Sequence, residues 1–232
     1  MIVSVHQPQY LPWLGYFHKI DKSDCFVFLD SVQYKPREFQ NRNRIRTKDG
    51  WIWLTVPVQV KGHYRQPIAD VLIDNSQDWA SDHRRSLQVW YAKAPFFKEH
   101  FPFFEDLYGR RWERLMELNI SVIRYCLAAL GMTTRVEFES ELGTTEHSTA
   151  RIIQLCKKLG AATYLSGTGG KDYLDEAQLT AAGIQLAYQR FEHPRYGQQF
   201  VDSRHPFEPF MSVVDLLFNE GPASGTILRS AS

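Results

Sequence analysis

The first thirty residues limit the possible folds most strongly, because they have the pattern of a strand, a short helix and a second strand. Ile2–Val5 and Cys25–Leu29 are apolar runs of strand length, and apolar residues recur at helical spacing from Leu14 to Ile20 between them. Two strands joined by one helix form a right-handed, parallel βαβ unit. Strand and helix patterns alternate again between residues 133 and 190. The sequence therefore predicts an α/β fold, a Rossmann-like parallel sheet with flanking helices.

Two segments interrupt this alternation. Residues 39–60 predict an inserted β-hairpin with its turn at Asp49-Gly50, and residues 76–130 predict a helical stretch that includes a long helix over 111–130. Ile68–Ile73 predicts a further strand. Later helices are predicted at 145–159, 174–182 and 211–218, and later strands at 134–138, 162–165 and 184–189. We assign residues 1–232 to a single domain.

Composition argues against several classes of function. The chain has 27 basic and 26 acidic residues, a net charge of +1, whereas proteins that bind nucleic acids or membrane surfaces usually carry a basic excess. No apolar run approaches the roughly 18 residues of a membrane helix, and residues 1–6 form no basic leader. We therefore expect a cytoplasmic protein with no nucleic-acid partner and no membrane insertion. The three distant cysteines predict reduced thiols, the histidines lack metal-ligand spacing, and no metal or cofactor is assigned.

Polar residues follow both N-terminal strands at their carboxyl ends, which is where open α/β sheets bind ligands. The first cluster is His6–Tyr10, and the second begins at Asp30. The pKa of histidine suits proton transfer near neutrality, so His6 is predicted to be catalytic, with Gln7, Tyr10 and Asp30 as substrate-binding residues. The alternative is a histidine that caps the following helix or holds the loop in place.

A glycine-rich turn, Ser166–Asp172, follows the strand predicted at 162–165. Its glycines let backbone N–H groups approach an anion closely, and Lys171 can pair with a phosphate or carboxylate. The phosphate-loop signature is absent, because Asp172 rather than Ser or Thr follows the lysine. Catalytic roles are predicted for Lys171 and Asp172, and substrate contacts for Gly167, Gly169, Gly170 and Tyr173. The alternative is a tight strand-to-helix connection without a ligand.

Two further segments carry polar side chains that suit a substrate. In a strand, Asn41 and Asn43 share one face while Arg42 and Arg44 share the other, so that one face can reach into a cleft as a clamp. Substrate binding is predicted for Asn41, Arg42 and Asn43, and the alternative is a solvated edge strand. His193 lies in a long loop, 191–210, of the kind that often forms a lid, and it is also predicted to bind substrate. The alternative for this loop is a surface excursion.

Several stretches together resemble the WbqC-like family. They are His6–Phe17, Phe39–Ile45, Leu165–Leu174, His193–Tyr196 and Pro209–Phe218, and they span nearly the whole chain. The resemblance implies a bacterial protein associated with gene clusters for O-antigen and other surface polysaccharides. A weaker likeness, at the level of the fold, is to the HIGH-type nucleotidyltransferases. In those a glycine leads the first helix, as Gly15 does here, and Gly15 is assigned to substrate binding, but the second histidine of their motif is missing.

Three functions stay open at this point. The first is an enzyme of surface-polysaccharide biosynthesis that transfers an acyl or aminoacyl group from a small-molecule donor to the amino group of a nucleotide-linked sugar, with His6 as the base. The second is a nucleotidyltransferase that acts on a phosphorylated sugar or small molecule. The third is a non-catalytic binding or scaffold protein of the same pathway. Amide formation is chosen from the setting that the resemblance implies, since no residue pattern dictates it.

Overall fold

A computed structural model describes residues 1–59 and 65–231 of the chain. Its strands, numbered in chain order, are β1 Ile2–His6, β2 Cys25–Phe28, β3 Arg42–Thr47, β4 Gly50–Thr55, β5 Arg135–Phe138, β6 Thr163–Ser166 and β7 Gln185–Tyr188. Its α-helices are α1 Leu14–Asp21, α2 Trp79–Tyr91, α3 Phe97–Gly109, α4 Leu115–Ala129, α5 Glu139–Leu142, α6 Ser148–Leu159, α7 Glu176–Ala181, α8 Val213–Glu220 and α9 Ser224–Arg229.

Five strands form one parallel sheet in the order β5-β2-β1-β6-β7, with helices on both faces. The predicted α/β class and Rossmann-like sheet are therefore confirmed. From β1 the chain first moves outward through β2 to β5, and it then returns to the other side of β1 with β6. The order of strands reverses between β1 and β6. In open sheets of this kind, the crevice at the carboxyl ends of the two strands that flank the reversal is where ligands bind.

Side chains that alternate along the central strands build two apolar layers. Val5 and Val27 face one side, where they pack with Leu155 of α6 and Leu179 of α7. Phe26 faces the other side and joins a larger cluster formed with helices α1, α2, α3, α4 and α8. Helix α1 is enclosed between this cluster and the sheet, and every one of its residues from Leu14 to Ile20 is buried. Any polar side chain on α1 is therefore held at a defined place.

The predicted hairpin is confirmed as an antiparallel pair outside the main sheet, with Arg42 opposite Thr55. Gly50 closes the turn with a φ of +127°, a conformation that glycine adopts without strain. Asn43 and Ile45 of β3 have no exposed surface, whereas alternate residues of the hairpin face solvent. The predicted end of the second strand, at Val60, lies outside the described residues.

The helical stretch predicted over 76–130 is confirmed by α2, α3 and α4, but the strand expected at Ile68 and the start of the long helix differ from the prediction for one reason. Ile68–Asp70 forms a single 3-10 turn instead of a strand, and the long helix expected from 111 begins at Leu115. The Ile73 N–H donates to the Glu113 carbonyl oxygen at 2.9 Å, and the Leu115 N–H donates to the Val71 carbonyl oxygen at 3.0 Å. The two irregular segments thus satisfy each other's backbone groups, which local patterns do not reveal.

Later helices also differ in their bounds. Helix α6 begins at Ser148 rather than 145, and α8 covers Val213–Glu220 rather than 211–218 and is followed by α9. The helix expected over 174–182 is the shorter α7, preceded by a 3-10 turn at Thr168–Asp172. Helix α7 starts where the Asp175 carboxylate caps it by accepting the Gln178 N–H at 2.9 Å.

Two further observations concern the whole described chain. Within it, no helix combines the length and the apolar character that crossing a membrane requires. Cys25, Cys126 and Cys156 are buried and unpaired. Burial raises the pKa of the Cys156 thiol to about 11 and that of Cys126 well above its usual range, so neither is an activated thiolate.

Candidate functional site

Two adjoining cavities open at the carboxyl ends of β1 and β6, where the order of strands reverses. Their volumes are about 450 Å³ and about 360 Å³. His6, Lys19, Gly167 and Gly169 line both, so the cavities are two halves of one cleft. The cleft has the size of a small-molecule site and occupies the position at which a doubly wound sheet binds its ligand.

His6 ends β1 and stands between the two halves of the cleft. Its Nδ1 lies 3.1 Å from the Gln7 carbonyl oxygen. Because a carbonyl can only accept, Nδ1 carries the proton, and Nε2 of the neutral ring keeps a lone pair. The Tyr16 ring packs edge-on against the imidazole with centroids 5.2 Å apart, and its hydroxyl donates to the same carbonyl at 3.1 Å. Burial first, and then the charge of Lys19, lowers the pKa of His6 to about 3.

Lys19 projects from α1 into the floor of the cleft. Only 4% of the residue is exposed, and its ammonium donates to the Val5 carbonyl oxygen at 3.0 Å. A Cβ on Gly167 would lie 4.0 Å from Nζ, so the glycine-rich turn passes over the lysine without blocking it. Burial lowers the pKa of Lys19 from 10.5 to about 7. The amine therefore exchanges protons readily near neutral pH, as a general base or acid must.

The first half of the cleft is cationic. Besides the shared residues, its polar lining includes Gln7, Lys35, Ser148, Arg151 and Tyr173, and no Asp or Glu is among its described lining residues. Arg151 is partly neutralised by the buried Glu139, whose carboxylate lies 3.0 Å from its Nε. Ser148 begins the twelve-residue helix α6 with a φ of +53°, a strained conformation of the kind that clusters at functional sites. Cations beside the N-terminus of a helix favour an anionic ligand.

The second half of the cleft is aromatic. The rings of Trp13, Tyr16, Phe191 and Phe210 line it, together with Gly15 and Gln189. Trp13 meets Phe191 edge-on, with centroids 5.2 Å apart, and Phe210 at 5.7 Å. Gln189, directly after β7, donates to the Gly15 carbonyl oxygen at 2.8 Å and so ties this strand to α1. Flat apolar walls with a few amide groups suit a sugar or a base.

Several predicted site residues line the cleft, namely His6, Gln7, Gly15, Gly167, Gly169, Gly170 and Tyr173. Two of the glycines are required for packing. A Cβ on Gly15 would lie 2.2 Å from the Trp13 ring, and one on Gly170 would lie 2.0 Å from the Ser166 hydroxyl oxygen. A Cβ on Gly169 would meet open space, so its backbone is accessible. The roles of these residues in binding stay predictions.

Lys171 and Asp172, predicted to be catalytic, are exposed and are not among the residues that line the cleft. The Lys171 ammonium lies over the Tyr188 ring instead, 5.2 Å from its centroid. The reason is the 3-10 turn over 168–172, which buries Gly170 and turns the two following side chains to solvent. The cation next to His6 is Lys19, and we leave Lys171 and Asp172 out of the proposed catalytic group.

Tyr10 and Asp30 also lie away from the cleft lining. Tyr10 has no exposed surface, and its hydroxyl is 2.8 Å from Nδ1 of the buried His83. The Asp30 carboxylate accepts the Ser140 N–H at 3.0 Å and the Ser140 hydroxyl at 2.6 Å, which holds the start of α5. These contacts stabilise the fold, so both residues are omitted from the proposed site.

The predicted clamp is divided between the core and the surface. Asn41 and Asn43 donate to the backbone carbonyls of Val56 and Leu11, both at 2.8 Å, and so fasten neighbouring loops to the hairpin. Arg42 lies on the opposite face, as the alternation predicts, but it stacks on a ring of the hairpin and does not line the cleft. The two amides are therefore structural, and Arg42 belongs to a different surface.

His193 supports the wall of the cleft without lining it. Its ring packs against Phe191 and Phe210, with centroids 5.8 Å and 5.3 Å apart, and both of those rings line the aromatic half. Its Nδ1 lies 2.9 Å from the Pro194 carbonyl oxygen, which fixes the orientation of the imidazole. We therefore give His193 a supporting role instead of the predicted contact with substrate.

Lys19 was missed, although the helix spacing contains a signal for it. It lies four residues after Gly15, so both are on one face of α1, whereas Leu14 and Phe17 face the core. A helix that presents Gly15 to a cleft must present Lys19 as well. Most of the other missed lining residues have no comparable local signal, because they come from distant segments; among them are Lys35, Ser148, Arg151, Gln189, Phe191 and Phe210.

Another cavity, of about 730 Å³, lies between α3, α4 and β5 and is lined mainly by apolar side chains such as Trp112, Ile120 and Phe138. Its volume also suits a small-molecule ligand. Its described lining offers no histidine and no lysine, however, and it lies away from the reversal of strand order. We therefore place the candidate site in the cleft. Nowhere in the ranges 1–59 and 65–231 do three His, Cys, Asp or Glu side chains gather as metal ligands.

Comparisons with known proteins agree with one resemblance drawn from the sequence. A family model described as WbqC-like protein family matches residues 7–227, beginning one residue after His6. The uncharacterized protein Rv1507c of Mycobacterium tuberculosis is 35% identical over 228 residues, which cover 98% of this chain and 97% of that protein. No solved structure matches the chain. The weaker likeness to HIGH-type nucleotidyltransferases gains no support from these comparisons.

Proposed function

This chain belongs to the WbqC-like protein family, and we propose that it is an enzyme that transfers an acyl or aminoacyl group to the amino group of a nucleotide-linked sugar. In this proposal the reaction is a step in the biosynthesis of a surface polysaccharide, such as the O-antigen of lipopolysaccharide. The observation that carries it is the pair formed by the partly buried His6 and the buried Lys19 at the junction of the two halves of the cleft. A neutral imidazole beside a lysine of lowered pKa suits the removal of a proton from an amine.

The burial of Lys19 destabilises the fold, and for that reason it points to chemistry. A pKa that falls from 10.5 to about 7 corresponds to a loss of roughly 5 kcal/mol of stability when the amine is charged. Its hydrogen-bond acceptor is the neutral Val5 carbonyl oxygen. Methionine or leucine would fill the same space more stably. Titratable groups retained under such conditions are typical of active sites.

The two halves of the cleft suit the two parts of such a substrate. Lys35, Arg151 and the start of α6 would hold the diphosphate, because guanidinium and ammonium groups donate charge-assisted hydrogen bonds to phosphate oxygens. Trp13 and Phe191 would pack against the sugar ring. The amino group would then lie at the junction, within reach of His6 and Lys19.

In the proposed step, the amine nitrogen attacks the carbonyl carbon of the donor. A C–N bond forms, and the bond from the carbonyl carbon to the leaving group breaks. The neutral Lys19 amine first takes a proton from the substrate ammonium and later releases it to solvent, while the second proton departs from nitrogen with the leaving group. His6, whose pKa of about 3 makes it a weak base, orients the amine through Nε2. The base is therefore Lys19 in this proposal, and not His6 as expected from the sequence.

The test is an assay of the purified chain with nucleoside-diphosphate amino sugars and a panel of acyl and aminoacyl thioesters, read by mass spectrometry. The matched control acceptor carries a hydroxyl in place of the amino group. We expect only the amino sugar to gain the group, with Lys19→Met lowering turnover by about 100-fold or more. Lys158→Met, at an exposed position of α6, should leave turnover unchanged. Wild-type turnover in Lys19→Met, or no thermal stabilisation by any nucleotide sugar, would contradict the proposal.

Transfer of a nucleotidyl group to a phosphorylated sugar is the second candidate. The cationic lining of the first half of the cleft favours it, because Lys35 and Arg151 would stabilise charge that develops on a triphosphate. If the chain released pyrophosphate from a nucleoside triphosphate and accepted sugars that lack an amino group, nucleotidyl transfer would be favoured over acyl transfer.

A further inference from the structure

The solvent face of the hairpin carries a surface that the proposed catalysis does not use. It consists of Arg42 and Arg44 from β3, Trp51 and Trp53 from β4, and Phe39 just before the hairpin, and we name it the arginine–aromatic surface. Trp51, Trp53 and Phe39 are 39%, 37% and 37% exposed. Clustered exposed aromatic side chains usually mark a binding surface, whereas single ones do not.

The charged and aromatic groups of this surface alternate. The Arg42 guanidinium lies 4.4 Å from the Trp53 ring centroid, and that of Arg44 lies 4.9 Å from Trp51 and 5.8 Å from Trp53. The Trp53 ring is also 5.5 Å from Trp51 and 6.0 Å from Phe39, measured between centroids. Each cation thus rests on a ring, which holds both groups in place before any ligand arrives.

Neither arginine pairs with a carboxylate in the described part of the chain. Their Nη2 atoms donate to the backbone carbonyls of Arg37 and Phe210, and both Nε atoms are buried without a partner there, so the donors that face a ligand are those of the guanidinium tips. The acidic side chains closest along the sequence, Glu38 and Asp49, lie beyond the two ends of β3, and Asp49 faces His205 at 3.8 Å. The remaining guanidinium donors therefore favour a ligand with carboxylate or phosphate groups.

Both arginines of the surface are hydrogen-bonded to segments that also carry residues of the cleft lining. Arg42 holds the carbonyl of Arg37, two residues from Lys35, which lines the cationic half. Arg44 donates to the Phe210 carbonyl oxygen at 3.2 Å, and Phe210 lines the aromatic half. A strand of the length of β4 extends roughly 17 Å, enough for several sugar units. A long substrate that leaves the cleft would meet this surface next.

We propose that the arginine–aromatic surface binds an acidic glycan, a saccharide chain with carboxylate or phosphate groups, as the extension of a substrate held in the cleft. The apolar faces of sugar rings pack on the indoles, and the acidic groups accept from the guanidinium groups. The role as an extension rests on the proposed function, whereas the binding itself does not. A nucleic acid also offers anions and rings, but a net charge of +1 favours a ligand of lower charge density.

The test is calorimetric titration of the full chain with hexagalacturonate, which is acidic, and with maltohexaose, which is neutral and of equal length. We expect binding of the acidic saccharide alone. Arg42→Gln and Arg44→Gln should each weaken it about tenfold, as loss of a charge-assisted hydrogen bond does. Trp53→Ala should weaken it about fivefold. Arg85→Gln, at an exposed position of α2, is the matched control and should change nothing.

Failure of this proposal can be told from failure of the proposed function, because the titration measures the binding of hexagalacturonate directly and does not depend on whether acyl transfer is found. No binding of hexagalacturonate at about millimolar concentration, equal binding of maltohexaose, or unchanged affinity in both arginine variants would overturn it. Tighter binding of an oligothymidylate than of hexagalacturonate would overturn it in favour of a nucleic acid. If Arg44→Gln has a lower melting temperature than the wild type, Arg44→Lys takes its place. This variant keeps the charge but loses the planar guanidinium, so it should still bind hexagalacturonate more weakly than the wild type.

Discussion

Two buried polar clusters of this chain differ in how completely their hydrogen bonds are satisfied. The Asp215 carboxylate, in α8, has no exposed surface and accepts from Tyr91 at 2.8 Å, Tyr196 at 2.7 Å and Gln198 at 2.8 Å. Burial raises the pKa of Asp215, and the three donors oppose that rise. The Lys19 ammonium, in α1, is nearly as buried but donates to one carbonyl oxygen and borders the cleft.

The difference separates a structural charge from a functional one. A buried charge with matched partners holds a single packing of the chain, and here it joins α8 to α2 and to the loop 196–198. A buried charge with one neutral partner beside a cavity is incomplete until a ligand supplies the rest. Both residues lie in eight-residue helices among apolar neighbours, so the helices alone do not distinguish them.

The hydrogen-bonded cluster around Asp215 should contribute more to the stability of the fold than Lys19 does. Asp215→Ala removes the acceptor of the Tyr91 and Tyr196 hydroxyls and leaves the Gln198 amide with the Glu208 carbonyl oxygen alone, and we expect a loss of about 3 to 5 kcal/mol in the free energy of unfolding. Denaturant titration measures it. Asp70→Ala, which breaks an exposed ion pair with Arg114, is the control and should cost less than about 1 kcal/mol. Equal losses in Asp215→Ala and Asp70→Ala would mean that the hydrogen bonds to Asp215 stabilise the fold no more than an exposed ion pair does.

The incomplete cluster should behave in the opposite way. Lys19→Met removes a buried charge, and at pH 7 we expect the variant to be more stable than the wild type by about 2 to 3 kcal/mol, after allowance for the lost bond to Val5. The folded pKa of Lys19 lies below the unfolded one, so the unfolded state binds more protons between pH 7 and 10.5. The wild type gains stability as pH rises through that window, and the advantage of the variant should shrink there. If the difference in free energy of unfolding between Lys19→Met and the wild type stayed constant from pH 6 to 10, the pKa of Lys19 would not be lowered in the folded protein.

The sheet could be predicted because its central strands are buried on both faces and therefore have mostly apolar sequences, such as Ile2–Val5, interrupted by Ser4 alone, and Cys25–Phe28. His6 followed from the sheet, since a residue directly after a strand lies at the edge where ligands bind. The boundary errors at Ile68 and Leu115 arose because those segments bond to each other across about forty residues, and no local pattern carries that information.

The cleft could be predicted only in part, for a related reason. Its cations Lys35 and Arg151 come from separate loops and helices, so their convergence is a property of the folded chain. Lys171 does not line the cleft, because a Gly-Gly-Lys sequence predicts an accessible backbone but not the direction of the next side chain, which the 3-10 turn decides. Lys19 was predictable in principle from its place on the Gly15 face of α1.

The pH dependence of turnover should reveal which group is the base. If neutral Lys19 takes the proton, kcat/KM with saturating donor should rise about tenfold per pH unit below pH 7 and level off above it. Lys19→Met should lose this limb along with most of the turnover, while Lys158→Met keeps it. If the rise of kcat/KM below pH 7 persisted in Lys19→Met, the titrating group would be the substrate amine or another residue. The proposal that Lys19 is the base would then be wrong.

The smallest effect is expected at the lysine that the sequence pattern favours. Lys171→Gln removes an exposed cation that rests on Tyr188 and does not line the cleft, so we expect kcat/KM to change less than about twofold and the melting temperature to stay within experimental error. Lys35→Gln, a lysine that is also exposed but lines the cationic half, should raise KM several-fold under the same conditions. If instead the Lys171 variant loses activity and the Lys35 variant keeps it, the glycine-rich turn must move on binding and bring Lys171 to the substrate. The cation that completes the site would then be supplied by a conformational change, and the cleft of the free protein would be an incomplete guide to its chemistry.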